Sequence, residues 1–419
     1  MLFFIFHFRM KFSLLSAIAL FAASATAQTN NAIAGIDDSA RSLKVSDAEG
    51  DADININRAC HEQNGNYIPS LKTGEYSTSA FHNCFRTVAQ TYEFTDALAA
   101  QNPTLLSKFA ISKTYNGATI YGYKLTKGHS QSLYFQAQVH AREWITGSSI
   151  LFSLASILDD IANKNPTAAD EYDLYFVPIV NVDGYDISWN GTRYQRKNAN
   201  GVDLNRNWPS LPNPEIPPRD HGAYPGLEPL SEPETAGIND WLKTKRNEIQ
   251  GFIDIHSLFG LIFYPYGDND QPIGDGFDEK FDVLGRGLES ILGAYTAKQL
   301  AKTYFLAYGL FQDYAFREFK KPSLTFELFG DDFVVNVSTI PTDGLIVYKG
   351  INKFAKEVTV FNGGDVTITE PSDDRASTLV QDAAEVDDAE LNRECHNENA
   401  NYISSLKAGQ YATSAFHNC

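Results

Sequence analysis

Short apolar runs alternate with longer amphipathic segments in the middle of the chain. Residues 133–139, 174–180, 252–256 and 324–328 are rich in apolar side chains and predict buried strands. Residues 150–162 and 235–245 have the spacing of helices. Strands that alternate with helices predict an α/β fold with a mixed, mainly parallel sheet covered on both faces. In such sheets ligands bind at the carboxyl ends of the strands.

The beginning of the chain has the pattern of a secretory signal over residues 1–27. Arg9 and Lys11 precede an apolar stretch, and the small residues Ala25-Thr26-Ala27 follow it. An anchoring helix is the alternative, but the apolar run is short and serines interrupt it. No later run reaches about 18 uninterrupted apolar residues, which excludes a polytopic membrane protein. We therefore expect a secreted, extracellular protein that leaves the membrane once the signal is removed.

Two acidic segments flank the central region. Residues 28–56 are acidic, small and poor in aromatic side chains, and predict a flexible leader without a globular inhibitory prodomain. Residues 365–390 contain nine acidic side chains and one basic one, so residues 363–391 are interpreted as an acidic linker. The main domain is therefore placed at residues 85–362.

The four cysteines belong to a repeated unit. Residues 57–84 and 392–419 are identical at 20 of 28 aligned positions. Secretion favours the disulfides Cys60–Cys84 and Cys395–Cys419. A zinc site that uses the histidines beside these cysteines is the alternative, although adjacent ligands would struggle to reach one ion. The second copy is interpreted as a truncated tandem unit, or alternatively as a binding module.

The net charge and the absence of certain motifs argue against several classes of protein. The formal net charge is −18, so a nucleic-acid-binding protein is not expected. The chain has no Gly-x-Ser-x-Gly motif, and all its cysteines lie in the repeated unit. A serine or cysteine hydrolase therefore has little support.

Two histidines and two glutamates are the strongest candidates for chemistry. His140 and His256 each follow or end an apolar strand, and Glu143 lies three residues after His140. Two histidines and a glutamate suit zinc, with the fourth position left for water. Alternatively, both histidines could be hydrogen-bonding groups at strand ends. Glu327 lies inside an apolar strand, where burying a carboxylate is costly unless it has an ion-pair partner or a catalytic task.

Seven ordered motifs resemble the zinc metallocarboxypeptidases of the carboxypeptidase A/B type, over about residues 85–358. They are His-Ala-Arg-Glu-Trp at 140–144, Asn-Val-Asp-Gly-Tyr at 181–185, Arg-Tyr-Gln-Arg-Lys at 193–197, Gly-Val-Asp-Leu-Asn-Arg-Asn-Trp at 201–208, Ile-His-Ser at 255–257, Tyr-Pro-Tyr-Gly at 264–267 and Thr-Phe-Glu-Leu at 325–328. The resemblance implies a mixed eight-stranded sheet between helices and one Zn²⁺ ion in the catalytic domain.

The resemblance also implies roles for the central residues. The zinc ligands would be His140, Glu143 and His256, a set that carboxypeptidase A itself exemplifies. Glu327 would be the general base and proton shuttle. Arg196 would polarise the scissile carbonyl and stabilise the oxyanion.

Other residues would bind the substrate. Asn205 and Arg206 would hold the terminal carboxylate, because a guanidinium binds a carboxylate through two hydrogen bonds. Arg142 would assist one residue further from the cleaved end. The implied activity is removal of single residues from the C-termini of peptides and proteins by a monomeric enzyme.

Some positions depart from the family pattern. Leu258 and Phe329 stand where the family has a tyrosine and an arginine. In the family a mobile tyrosine caps the bound substrate, and here it corresponds to Tyr304 or Phe305. These departures motivate an alternative, a catalytically impaired zinc-binding scaffold that binds peptide C-termini or surfaces.

The resemblance implies that Gln312 lies at the floor of the pocket that holds the substrate's C-terminal side chain. Its neutral side chain favours apolar or aromatic C-terminal residues. The acidic neighbours Asp313 and Asp268 leave a preference for basic residues as the alternative.

Overall fold

The computed structural model describes residues 47–363, whose centre is one mixed β-sheet. Its strands are β1 (Leu106–Lys113), β2 (Thr119–Leu125), β3 (Ser132–Ala137), β4 (Asp173–Val177), β5 (Ile249–Tyr264), β6 (Thr296–Gln299) and β7 (Ser323–Phe329). They are ordered β1-β2-β4-β3-β5-β6, and β7 also pairs with β5. Parallel pairing joins β3 to both β4 and β5, whereas β1, β2 and β4 pair antiparallel.

The helices surround this sheet. They are α1 (Asp47–Gln63), α2 (Val88–Gln101), α3 (Trp144–Asn163), α4 (Val182–Trp189), α5 (Pro233–Thr244), α6 (Phe277–Leu292), α7 (Leu300–Thr303), α8 (Phe311–Phe319) and α9 (Thr339–Phe361). Every residue of β3 and β4 is buried, as expected for parallel strands covered on both faces. The predicted fold class is therefore confirmed.

The long strand β5 explains why seven strands are distinguished where the resemblance implies eight. Its first part runs parallel to β7, from Phe252 beside Ser323 onward. After Gly260 the register reverses, so that Leu261 pairs with Glu327 and Phe263 with Thr325. Gly260 has φ +66°, and a Cβ there would lie 2.1 Å from the ring of Phe329. The two arms of β5 thus enclose β7, and counting them separately gives eight strands.

Helix α3 is long and apolar enough to cross a membrane, but 83% of its apolar window is buried inside the protein. It packs against α9, so its apolar surface is explained by the core.

Helix α1 corrects the predicted leader. Residues 47–56 are helical, so the prediction of a flexible segment over residues 28–56 is wrong for this part, and residues 28–46 lie outside the described residues. The buried positions Gly50, Asp53, Ile54 and Asn57 follow the i, i+3, i+4, i+7 spacing of one helix face. Because only one of these four is a large apolar residue, composition gave no signal for burial.

The first cysteine unit is part of the same core. Cys60 and Cys84 form a disulfide with a Cα–Cα distance of 6.0 Å, which rules out their use as thiolate ligands. Tyr67, Tyr76 and Phe81 are buried in the hydrophobic cluster that also contains the central strands. The signal, the acidic linker beyond residue 363 and the Cys395–Cys419 pair lie outside the described residues.

Candidate active site

Three neighbouring strands bring the candidate residues together. β3 ends at Ala137, and the turn that follows carries His140 and Glu143 before α3 begins at Trp144. His256 on β5 and Glu327 on β7 are register partners in adjacent parallel strands. Register partners point to the same face of a sheet, so Glu327 lies beside the two histidines rather than behind them.

The donor atoms of His140, Glu143 and His256 converge on one point. The two Nδ1 atoms are 3.0 Å apart, and the Glu143 oxygens lie 2.8 Å from His140 Nδ1 and 3.1 Å from His256 Nδ1. All three residues are buried, and one ligand atom from each lies within 4.8 Å of the others. Two imidazole nitrogens that face each other beside a carboxylate fit a shared Zn²⁺ ion.

Two further carboxylates orient the histidine rings. His140 Nε2 lies 3.1 Å from Asp203 Oδ1, and His256 Nε2 lies 2.9 Å from Asp254 Oδ2. A carboxylate that accepts the Nε2 proton leaves the Nδ1 lone pair for a metal. Sequence reasoning missed both residues. Asp254 carried a usable signal, because it is a carboxylate inside an apolar strand, the same feature that singled out Glu327.

The electrostatics of this cluster favour a cation. Burial alone opposes ionisation of Glu143, but His140 and His256 lower its pKa below the ordinary value. Burial likewise opposes ionisation of Asp203, but Arg196 and then His140 lower its pKa well below the ordinary value. Both carboxylates therefore stay ionised near neutral pH, so Glu143 is available as an anionic metal ligand and Asp203 as a hydrogen-bond acceptor for His140.

A cavity of about 750 Å³ opens onto these residues. The predicted site residues that line it are His140, Glu143, Arg196, Asn205, Arg206, Tyr304, Gln312 and Glu327. The structure thus gathers residues from four separate parts of the chain around one volume large enough for several amino-acid residues.

The zinc carboxypeptidase family model matches residues 91–349. The chain belongs to the zinc carboxypeptidase family. Zn²⁺ is therefore the ion that the donor set of His140, Glu143 and His256 would hold, and the predicted family and cofactor are confirmed.

Curated relatives agree with this assignment. The chain is 32% identical to human carboxypeptidase A1 over 273 residues, which is 60% of this chain and 64% of the relative. It is 30% identical to bovine carboxypeptidase B over 280 residues, covering 59% and 66% of the two chains. The match thus spans a little under two thirds of the length of these relatives.

Solved structures of the family share the fold. Bovine thrombin-activatable fibrinolysis inhibitor, in complex with tick carboxypeptidase inhibitor, superposes with a TM-score of 0.61 at 26% identity, covering 67% of this chain and 99% of the other. Carboxypeptidase A from Helicoverpa armigera gives a TM-score of 0.63 at 21% identity, covering 72% and 80%, and supports the fold alone.

Arg196 and Asn205 are held by neighbours of the zinc carboxypeptidase centre. Arg196 donates from Nε and Nη2 to Asp203 Oδ2 at 3.0 and 2.8 Å, so it joins the network that orients His140. The side chain of Asn205 accepts a hydrogen bond from the backbone of Phe311 at 2.9 Å. Both side chains are therefore oriented before substrate enters.

Arg142, like the metal donor His256, does not line the cavity. Its side chain is 1% exposed, and its guanidinium lies 3.9 Å from the ring centroid of Phe333. The role of Arg142 towards the substrate stays a prediction.

Tyr304 and Phe305 both line the cavity and are each 38% exposed. The Tyr304 ring lies 6.1 Å from that of Phe259 and 5.7 Å from that of Phe263. Burial and then the charge of Glu327 raise the pKa of Tyr304, which places its hydroxyl in the field of the candidate base. Both side chains are therefore placed to reach a bound substrate, and the choice of Tyr304 as the capping residue stays a prediction.

A buried polar network supports the loop that carries Asp203, Asn205 and Arg206. Asn198 donates to Glu232 at 2.8 Å and to Glu234 at 3.3 Å. Burial raises the pKa of Glu234 to about 7 from an ordinary value of 4.5. The protonated form of Glu234 is therefore favoured by folding.

This raised pKa predicts a pH-dependent stability. The contribution of Glu234 is fully present below pH 4.5 and is lost as the pH rises towards 7. Replacing Glu234 with Gln removes this loss, so the stability of the variant relative to wild type should rise by on the order of 2 kcal/mol between pH 5 and pH 8. Urea unfolding across that range measures the difference, with the exposed Glu62→Gln change as control. A difference in unfolding free energy between variant and wild type that does not change with pH would contradict the expectation.

Proposed function

We propose that the protein is a secreted, zinc-dependent exopeptidase that removes single C-terminal residues from peptides and proteins. The observation that carries the proposal is one shared cavity. It is lined by two of the three metal donors, His140 and Glu143, by Glu327 as candidate base and by Arg206 as candidate carboxylate clamp. A clamp for a terminal carboxylate restricts cleavage to the last peptide bond, because internal bonds offer no carboxylate at that distance.

When bound, zinc supplies Lewis-acid polarisation of water and of the scissile carbonyl. Glu327 takes a proton from the attacking water and delivers it to the leaving amine. Arg196 donates hydrogen bonds to the carbonyl oxygen as negative charge develops there. Asn205 and Arg206 bind the terminal carboxylate, and Tyr304 closes over the bound residue.

We further propose a preference for apolar or aromatic C-terminal residues. Phe263, Leu300, Ala307 and Leu310 form a small hydrophobic cluster that lines the cavity. Gln312 is neutral, and its side chain forms a hydrogen bond with Thr325. These contacts give the pocket an apolar wall and an uncharged floor.

The two acidic residues near this pocket do not support a preference for basic residues. Asp268 is buried in an ion pair with Arg317, and Asp313 accepts hydrogen bonds from the backbone of Gly267 and Asp268. Burial and then Asp268 raise the pKa of Asp313 to about 7. Among the described residues that line the cavity, neither aspartate is included.

The same proposal includes the cellular context. The signal pattern at residues 1–27 supports secretion, and the Cys60–Cys84 disulfide suits an oxidising compartment. Peptide and protein C-termini are the partners, and the enzyme acts as a monomer that is free of the membrane.

Product analysis tests the proposal. The purified full-length protein is incubated with a mixed peptide set, with and without a zinc chelator, and the products are identified by mass spectrometry. We expect loss of single C-terminal residues only without chelator, with Phe, Tyr and Leu released faster than Lys and Arg. Internal cleavage would show that the Arg206 clamp is misassigned. Intact peptides despite bound zinc would instead favour the catalytically impaired scaffold.

A further inference from the structure

Helix α1 precedes the segment that matches the zinc carboxypeptidase family, yet a buried ion pair joins it to Arg193, beside the turn that carries Glu143. Asp53 Oδ2 lies 2.5 Å from Arg193 Nε, and the two residues are only 7% and 2% exposed. Removing one partner of such a pair leaves the other charge buried without compensation. The position of Arg193 therefore depends on α1.

Arg193 in turn contacts both neighbours of the metal donor Glu143. Its Nη1 donates to the carbonyl oxygen of Arg142 at 2.7 Å, and its guanidinium lies 3.8 Å from the ring centroid of Trp144. The Arg142 carbonyl belongs to the peptide unit that leads into Glu143. Arg193 thus holds the backbone on both sides of the residue whose carboxylate faces the two histidines.

A third contact connects the same guanidinium to the segment that follows β7. Arg193 Nη2 donates to the carbonyl oxygen of Phe333 at 2.7 Å, in the segment that follows β7 and Glu327. The guanidinium of Arg193 therefore links the turn that carries Glu143 to the segment that follows β7.

The local sequence of α1 is suited to this contact. A Cβ on Gly50 would lie 2.8 Å from Arg193 Cβ, so only glycine allows the helix to approach so closely. Asn57 donates to Asp53 Oδ1 at 3.0 Å and accepts from the backbone of Phe85 at 3.2 Å. These contacts fix the rotation of the helix and the direction of the Asp53 carboxylate.

We propose that Asp53 and Arg193 are positioning residues of the metal centre, and that α1 is a working part of the enzyme rather than a removable leader. The coupling passes from Asp53 to Arg193, then to the backbone and ring that flank Glu143. Only the kinetic part of this proposal rests on the proposed exopeptidase function, because zinc affinity is measurable without turnover.

The test compares Asp53→Asn with Asp51→Asn, a matched change on the exposed face of the same helix. Zinc dissociation constants are measured on the full-length protein by competition with a chromophoric chelator. We expect zinc affinity to fall about 10-fold in Asp53→Asn and to stay unchanged in Asp51→Asn, since partners outside the ligand shell typically change metal affinity by about 10- to 100-fold. With peptide substrate, kcat should fall while KM stays constant, because the Arg206 clamp is untouched.

A second variant separates positioning from folding. Gly50→Ala favours the helical state of α1 but pushes the helix away from Arg193, and should weaken zinc binding in the same direction. The inference is overturned if Asp53→Asn lowers only the melting temperature and leaves zinc affinity and kcat unchanged. If Asp53→Asn does not fold, Arg193→Lys replaces it as the test variant. This change keeps the positive charge but removes the planar guanidinium and its several hydrogen bonds. Wild-type zinc affinity in Arg193→Lys would reject the inference. An inactive wild type would remove the exopeptidase proposal and leave the zinc comparison valid.

Discussion

Replacement of Glu327 with Gln is expected to lower kcat by about 10²- to 10⁴-fold while zinc stays bound, the range that a positioned acid–base group contributes. The substitution keeps the size of the side chain and its place on β7 beside His256. It removes the ability to accept a proton from water and to return it to the leaving amine. Because the metal donors are His140, Glu143 and His256, the variant should keep its zinc content.

Two measurements check this expectation. Single-turnover rates on a peptide substrate report the chemical step, and zinc content by atomic spectroscopy reports the metal site. Glu279→Gln, an exposed change of the same type on α6, serves as the control. A variant that retains wild-type kcat would show that another group moves the proton. A variant without zinc would show that Glu327 supports the metal site rather than the reaction.

Much of the fold and of the site could be predicted because it rests on local patterns. The apolar runs that became β3, β4, β5 and β7 are almost entirely buried, and such strands have a strong hydrophobic signal. His140, Glu143, His256 and Glu327 lie in short segments whose order and spacing could be read directly. The register of β5 and β7 then brings these segments together.

The remainder depends on contacts between distant parts of the chain. Helix α1 buries a glycine, an aspartate and an asparagine in its interface, so its composition resembles that of a solvated segment. The role of Asp53 depends on its contact with Arg193, which lies 140 residues later in the chain and comes beside it only in the folded protein. The contact between Arg142 and the ring of Phe333 is equally non-local, and no sequence pattern indicated it.

One departure from the family pattern, Phe329, has a packing role in the structure. Phe329, which replaces an arginine, packs its ring over Gly260 where β5 turns back. The bend in β5 therefore brings an apolar ring beside the strand end that carries Glu327.

Replacement of Arg206 with Met is expected to lower kcat/KM for peptides by about 30- to 3,000-fold. This range corresponds to the roughly 2–5 kcal/mol lost when one partner of a buried charge pair is truncated. Arg206 lines the cavity, and its Nη1 donates to the carbonyl oxygen of Asn205 at 2.8 Å, which orients the guanidinium before substrate binds. Without it, the terminal carboxylate loses its charge-assisted hydrogen bonds.

Substrates with a C-terminal amide make this test specific to the carboxylate. Wild type should cleave the free acid far faster than the amide, whereas Arg206→Met should treat the two alike. Arg286→Met, an equal loss of charge on the exposed face of α6, should leave this discrimination unchanged. If Arg206→Met still prefers the free acid as strongly as wild type does, another group binds the carboxylate. The exopeptidase character would then arise elsewhere in the cavity, because a guanidinium that contributes nothing to this preference cannot be the clamp.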